Sequence, residues 1–303
     1  MKSLRYFLQL SRPIFILLAC LLYVLGGGIA RYLSGQIIWS SFPLGLAWVV
    51  FIMIGFQCLN EFFYPVNLEQ DLTWWKTPFS GNSGAIGPGK LSRPVALWAG
   101  LACLTLSASV TVLILQIQKF NLASTIMLGL MLIGELVFSI PPLRLVTSGF
   151  GEVILSIIMA GMIPALAYLL QGHEMHRLLI MVSFPLVILY LSTIIALEFP
   201  SYASDIKHGN KTIPVRIGWQ KGMLLHNLLI LSSFFIFGIA LVLGLPLSIG
   251  WPVIFVLPVG LFQIWMMNRI AAGAKPNWNL LALIALSSFC LTAYLLTFSF
   301  WIH

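Results

Sequence analysis

The side chains best suited to metal or phosphate chemistry are few, and most of them occur together. The 303-residue chain contains only eight Asp and Glu residues. Glu61, Glu69 and Asp71 form one group, and Glu198 and Asp205 form a second. Carboxylates without a histidine cluster suit a hard cation such as Mg2+, which takes oxygen ligands and bridges to phosphates. These five residues therefore indicate a candidate magnesium and phosphate site.

Basic residues accompany both acidic groups, as recognition of a phosphate would require. They are Lys76, Lys90, Arg93, Lys207, Lys211 and Arg216. The same charges are compatible with solvated loops in which acids and bases pair in the ordinary way. Charge alone leaves both interpretations open.

The spacing of the second group favours a shared surface. Glu198, Ser201 and Asp205 stand at positions i, i+3 and i+7, which is one face of a helix. Pro200 disfavours a continuous helix, so we expect a break followed by a short helix. A similar alignment is formed by Asn60, Glu61 and Tyr64. If the two faces meet across a cavity, Mg2+ and diphosphate would bridge carboxylates separated by on the order of 10 Å.

Nine apolar runs separate these groups and must position them. Hydrophobic residues make up 60% of the chain and charged residues 8%, against about 25% charged in a soluble domain. A transmembrane helix needs about 20 mostly apolar residues. The runs are roughly 13–32, 37–59, 94–117, 121–142, 151–171, 177–198, 223–244, 250–268 and 279–301. We predict an all-α, polytopic membrane bundle of nine transmembrane helices that forms a single domain over residues 1–303.

The distribution of basic residues predicts the orientation. With nine spans, 13 of the 16 Lys and Arg residues fall on the side of the N-terminus and three on the other. Cytoplasmic loops carry such an excess of positive charge. We therefore expect a multi-pass protein of the cell membrane, with the N-terminus and both long connections, about 60–93 and 199–222, in the cytoplasm and His303 outside. Topology explains the net charge of +8 better than binding to nucleic acid does.

Several segments resemble the UbiA superfamily of intramembrane prenyltransferases. The clearest runs from Glu198 to Gly218 and is similar to the second acidic motif of the family and its tail. The stretch 138–145, followed by 149–152, resembles the segment before the fifth helix of the family. Asn60-Glu61 stands where the family has Asn-Asp, and 80–92 is similar to the menaquinone-pathway branch, which is 1,4-dihydroxy-2-naphthoate polyprenyltransferase-like.

The chain departs from the acidic motifs of that family. Tyr64, Leu68 and Ser201 stand at three of the four usual Asp positions, and only Asp205 is retained. Glu69 and Asp71 lie one and three residues beyond Leu68 and are candidate replacements. These departures put ordinary two-magnesium chemistry in question while leaving the fold assignment intact.

The resemblance implies transfer of a prenyl chain from a polyprenyl diphosphate to an acceptor within the membrane, with Mg2+ as cofactor. The acceptor is expected to be aromatic or otherwise hydrophobic, as in quinone precursors, and membrane lipid surrounds the bundle. The implied catalytic acids are Glu61, Glu198 and Asp205, which would bind magnesium together with Asp71. The implied substrate-binding residues are Asn60, Arg144, Tyr202, Lys207, Lys211 and Arg216. Two alternatives remain: an altered relative that binds an isoprenoid lipid without catalysis, and a secondary transporter.

Overall fold

The first apolar helices belong to one compact unit. The computed structural model describes residues 2–64, 83–117 and 121–303. Among them, the first unit contains 2–64, 83–117, 121–145 and Met162–Met175. Its helices are α1 (Lys2–Ser11), α2 (Pro13–Ser34), α3 (Phe42–Phe62), α4 (Arg93–Ile117), α5 (Leu122–Ser139) and α7 (Ile163–Leu169).

The second unit contains Val146–Gly161 and His176–His303. Its α-helices are α6 (Gly151–Ser156), α8 (Arg177–Glu198), α9 (Tyr202–His208), α10 (Ile213–Ile217), α11 (Trp219–Val242), α12 (Leu247–Gly250), α13 (Leu257–Ala271) and α14 (Trp278–Ile302). Short 3-10 segments cover Leu145–Thr147, Phe199–Ser201 and Trp251–Val256. A π-helical segment, Ile157–Met162, separates α6 from α7.

The membrane prediction is confirmed. The described residues contain nine helices long and apolar enough to span a bilayer. These are Pro13–Ser34, Phe42–Phe62, Arg93–Ile117, Leu122–Ser139, Gly151–Leu169, Arg177–His208, Trp219–Val242, Leu247–Ala271 and Trp278–Ile302. Each predicted run overlaps one of them. Helix α1 precedes the first span and was not predicted.

Small residues let the helices of the first unit pack closely. A Cβ atom on Gly26 would lie 2.0 Å from the Pro164 carbonyl oxygen, so this contact between α2 and α7 requires glycine. Pro164 also explains the π segment before it. Proline has no N–H to bond to the carbonyl four residues earlier, and a wider turn accommodates that loss.

Polar side chains connect helices inside the second unit. His226 of α11 is fully buried, and its Nε2 lies 2.7 Å from Nε2 of Gln263 in α13. Asn227 Nδ2 donates to Asn268 Oδ1 at 2.7 Å across the same two helices. In hydrocarbon such groups find few other partners, so these pairs fix the register of α11 on α13.

The break predicted at Pro200 is present. Helix α8 ends at Glu198, the 3-10 turn Phe199–Ser201 follows, and α9 begins at Tyr202. Helix α9 ends at His208, and the φ of 75° at the following Gly209 is in the left-handed region that suits glycine after a helix C-terminus. Glu198 is thus the last residue of α8, and Asp205 lies in α9 beyond the short 3-10 turn.

Candidate active site

Glu61 is anchored within the first unit. It lies in the last turn of α3 and is 2% exposed. The Ser83 backbone N–H lies 2.9 Å from Oε1 and 3.1 Å from Oε2, and the Ser83 hydroxyl donates to Oε1 at 2.8 Å. Arg12 Nη2 lies 3.7 Å from Oε2. Both oxygens of Glu61 thus have partners, and a metal ion at this carboxylate would compete with Ser83 and Arg12.

The first connection contributes further to this anchor. Gln9 of α1 donates through Nε2 to the Ser83 carbonyl oxygen at 2.6 Å. Arg12 links α1 to α2 with a φ of 49°, a left-handed conformation that is unusual for arginine. The Glu61 carboxylate therefore ties together the end of α3, the α1–α2 corner and the start of the segment before α4.

Two arginine side chains, Arg93 and Arg144, lie near Tyr64. Arg93 donates through Nη2 to the Tyr64 carbonyl oxygen. Burial lowers the pKa of the Arg144 guanidinium from its usual value, Tyr64 opposes that shift, and the nearby Arg93 adds to it. Two guanidinium groups of like charge in one place favour an anion beside them. Asn60 lies one turn earlier, and its Oδ1 is buried without a hydrogen-bond partner.

In the second unit, both carboxylate oxygens of Asp205 accept hydrogen bonds. Asp205 is 7% exposed. Ser201 Oγ donates to Oδ2 at 2.7 Å, and Asn210 Nδ2 donates to Oδ1 at 2.9 Å. Ser201, which stands at one of the usual Asp positions of the family, thus orients the remaining aspartate. Sequence reasoning did not identify Asn210, although its place five residues after Asp205 in a polar loop was visible.

A carboxyl pair lies next to Asp205. The side chains of Glu152 and Glu198 are within hydrogen-bonding reach of each other, and Asp205 is close enough to Glu198 to act on it electrostatically. The Ile213 N–H donates to Glu152 Oε1 at 2.8 Å. From the sequence, Glu152 was included only as the last residue of the stretch 149–152, and no role was assigned to this side chain.

A backbone contact brings Glu152 to this place. The Lys211 N–H donates to the Thr147 carbonyl oxygen at 2.9 Å, which joins the segment before α6 to the segment before α10. A Cβ atom on Gly149, whose φ is 76°, would lie 2.4 Å from the Lys211 carbonyl oxygen. Glycine is therefore required for this approach.

The predicted phosphate-binding residues of the second unit follow Asp205 in the chain, from α9 to α10. Lys207, Lys211 and Arg216 are exposed. The Arg216 guanidinium lies 4.9 Å from the centre of the Phe150 ring, and its Nε donates to the Lys211 carbonyl oxygen at 3.2 Å. Tyr202 is partly buried, with its ring centre 5.0 Å from that of Trp219. Arg216 is thus held in place by an aromatic face and a backbone carbonyl.

The other predicted site residues lie outside the described residues or in separate units. Asp71, with Glu69 and Lys76, lies outside the described residues. Glu61 belongs to the first unit and Asp205 to the second, so their predicted convergence stays a prediction. Within residues 2–64, 83–117 and 121–303, no three His, Cys, Asp or Glu side chains are grouped so that they could hold a metal ion alone.

Comparison with known proteins assigns the family. A family model described as the UbiA prenyltransferase family matches residues 84–277, which is more than half of the chain. The chain belongs to the UbiA prenyltransferase family. Members of this family are intramembrane prenyltransferases. A search of curated proteins found no match for this family member.

Solved structures of a UbiA homolog from Archaeoglobus fulgidus have the same fold. The complex with DMAPP and Mg2+ aligns with a TM-score of 0.67 at 16% identity, covering 96% of this chain and 98% of the other. The complex with GPP and Mg2+ gives a TM-score of 0.66 at 16% identity, covering 96% and 99%. The Cd2+-bound structure gives 0.61 with the same identity and coverage. The likeness confirms the helical membrane fold.

Proposed function

We propose that this UbiA family member transfers a prenyl chain from a polyprenyl diphosphate to an aromatic acceptor of the quinone-precursor class, with Mg2+ as cofactor. The observation that carries the proposal is the Asp205 carboxylate, oriented by Ser201 and Asn210 beside Glu198. Oxygen ligands of this kind are those that Mg2+ prefers. The complexes of the Archaeoglobus fulgidus homolog with GPP or DMAPP and Mg2+ support the same class of substrate.

The residues present fit such a metal. Oε2 of Glu198 is buried and accepts no hydrogen bond, so an oxygen ligand is available at the end of α8. Asp205 and Glu198 are the proposed ligands in the second unit, and Glu61 and Asp71 are those proposed from the first connection. When bound, Mg2+ would take up negative charge as diphosphate leaves. Because Mg2+ usually binds one or two carboxylates together with substrate phosphates, few protein ligands suffice.

The cationic residues would bind the diphosphate. Lys207, Lys211 and Arg216 are proposed contacts in the second unit, and Arg144 and Asn60 in the first. Arg216 is best prepared for this role because Phe150 and the Lys211 carbonyl fix its orientation before any substrate arrives. Preorganised charges stabilise a developing anion more effectively than mobile ones.

The bundle would protect the reactive carbon. An allylic cation formed as diphosphate leaves must be kept from water, and aromatic faces stabilise positive charge. Tyr202 is proposed to provide such a face at the start of α9. The apolar chain of the donor would lie among the helices, where lipid-like surroundings exclude water.

Purified protein in lipid nanodiscs provides the test. It would be incubated with radiolabelled geranyl diphosphate, Mg2+ and a panel of phenolic and dihydroxynaphthoate acceptors. We expect Mg2+-dependent formation of a prenylated acceptor and release of diphosphate. Binding of the isoprenoid without release of diphosphate with any acceptor would replace this proposal by the lipid-binding alternative, which Tyr64 and Ser201 at usual Asp positions favour.

We also infer the location from charge. The nine apolar helices and the family make this a multi-pass membrane protein. The bias of Lys and Arg supports the cell membrane, with the N-terminus and both long connections in the cytoplasm and the C-terminus outside.

A further inference from the structure

The Glu152–Glu198 pair is unusual for the interior of a membrane protein. Glu152 is 3% exposed. Its carboxyl group and that of Glu198 lie within hydrogen-bonding reach of one another, at the cytoplasm-proximal ends, by our inferred orientation, of α6 and α8. The two residues are 46 positions apart, and the contact depends on the approach of the segment around Gly149 to Lys211. The pair is thus a product of tertiary structure.

One oxygen of each residue lacks a donor. Oε2 of Glu152 and Oε2 of Glu198 are both buried, and neither accepts a hydrogen bond. The Ile213 N–H satisfies only Oε1 of Glu152. Two adjacent carboxylates repel each other unless a proton or a cation lies between them. A buried oxygen that accepts no hydrogen bond also favours a proton or a cation beside it, because an unsatisfied polar group in the interior destabilises the folded protein.

The surroundings favour a cation over a single shared proton. Asp205 adds a third negative charge beside Glu198, and both of its oxygens already accept hydrogen bonds from Ser201 and Asn210. Arg216 is the basic residue that acts on Glu152, and it is exposed. One shared proton would neutralise one of three carboxylates. A divalent cation would neutralise two, and it prefers oxygen ligands such as these carboxylates provide.

We propose that the Glu152–Glu198 pair binds a divalent cation, with Glu152 as the carboxylate that replaces the one absent at Ser201. This inference rests on the proposed function for its choice of Mg2+ and deepens it by adding a ligand from α6. Two glutamates supply part of the coordination, and water or diphosphate oxygens supply the rest, as Mg2+ commonly requires.

Binding of Mn2+ alone, without any prenyl diphosphate, tests the proposal. The loss of the free Mn2+ electron paramagnetic resonance signal would be followed during titration of the wild-type protein and the E152Q variant in nanodiscs. Glutamine keeps the size of the side chain and an oxygen for the Ile213 N–H, so E152Q is expected to fold. The matched control is E135Q, which removes another buried carboxyl group, 3% exposed, in the first unit.

We expect E152Q to weaken Mn2+ binding by at least about tenfold, the lower end of the effect of disturbing groups around a metal. E135Q should bind Mn2+ like the wild type. E152D should recover part of the affinity, because it retains the charge. Wild-type affinity in E152Q would overturn the proposal and indicate a shared proton. Equal losses in E152Q and E152D would also overturn it, since helix packing rather than charge would then be responsible.

The cation site and the proposed function can be tested independently of each other. If the wild-type protein binds Mn2+ through Glu152 but converts no prenyl diphosphate, the cation site stands and the enzymatic proposal falls. If it turns over and E152Q binds Mn2+ normally, the enzymatic proposal stands and the role of Glu152 falls.

Discussion

Asp205 is the acid whose loss should affect activity most. The D205A variant removes a hard oxygen ligand and leaves negative charge on the leaving diphosphate uncompensated. Loss of one preorganised electrostatic contact commonly lowers kcat by about 10²–10³-fold, which corresponds to about 2.7–4 kcal/mol of transition-state stabilisation. We therefore expect Mg2+-dependent turnover to fall by about that factor.

The structure adds a second consequence to this substitution. Ser201 Oγ and Asn210 Nδ2 both donate to Asp205, at 2.7 and 2.9 Å. A hydrogen bond to a charged group contributes about 1.5–3 kcal/mol. Loss of both would therefore destabilise the start of α9 as well as the metal site, so activity and stability must be measured separately.

Two further variants separate these effects. S201A removes one donor but keeps the carboxylate, so it should lower activity less than D205A does. D205N keeps the shape and an oxygen that can accept from Ser201 but removes the charge. We expect D205N to resemble D205A in turnover. It should lose less thermal stability than D205A, because it keeps one of the two oxygens that accept hydrogen bonds from Ser201 and Asn210.

The assay is Mg2+-dependent release of diphosphate from geranyl diphosphate, with thermal unfolding in nanodiscs as the parallel readout. E174Q, in a loop remote in sequence from both acidic groups, is the control and should change neither. Unimpaired turnover by D205A would refute the proposed role of Asp205 while leaving the fold unaffected. Activity in D205N close to that of the wild type would show that orientation, and not charge, is what Asp205 supplies.

The remaining predictions concern backbone geometry and topology. G149A should lower thermal stability and turnover more than G209A does. Both positions have a φ near +75°, so alanine at either causes backbone strain of about 1–2 kcal/mol, but only an alanine at Gly149 would also meet the Lys211 carbonyl oxygen. Equal effects of the two substitutions would contradict the assigned contact. Cysteines introduced at His208 and Glu174 should be labelled by an impermeant thiol reagent from the cytoplasm and from outside, respectively; labelling from the same side would contradict the orientation inferred from Lys and Arg.

The sequence predicts the membrane helices well because bilayer thickness requires a length that can be counted. All nine runs of apolar residues correspond to spans among the described residues. Pro200 predicted the break after α8 for an equally local reason, since proline cannot continue the hydrogen bonding of a helix. Helix α1 escaped prediction because ten residues with charges at Lys2 and Arg5 do not resemble a span.

The roles of individual acids were harder to predict. The sequence identified Glu198 and Asp205 as neighbours, because they are close in the chain. It gave no means of knowing that Ser83 and Arg12 would contact both oxygens of Glu61, since these residues come from three separate segments. Side-chain partners of this kind depend on how segments approach one another.

What the sequence by itself determined is the class of protein: a polytopic helical membrane protein with acids and bases gathered in two long connections, similar to the UbiA superfamily. Local rules suffice for this, because hydrophobic length, proline and charge act within a single segment. Only the tertiary structure decided that Ser201 and Asn210 orient Asp205 and that Glu152 faces Glu198. The last contact joins residues far apart in the chain, and it exists because Gly149, lacking a side chain, lets one backbone segment reach another.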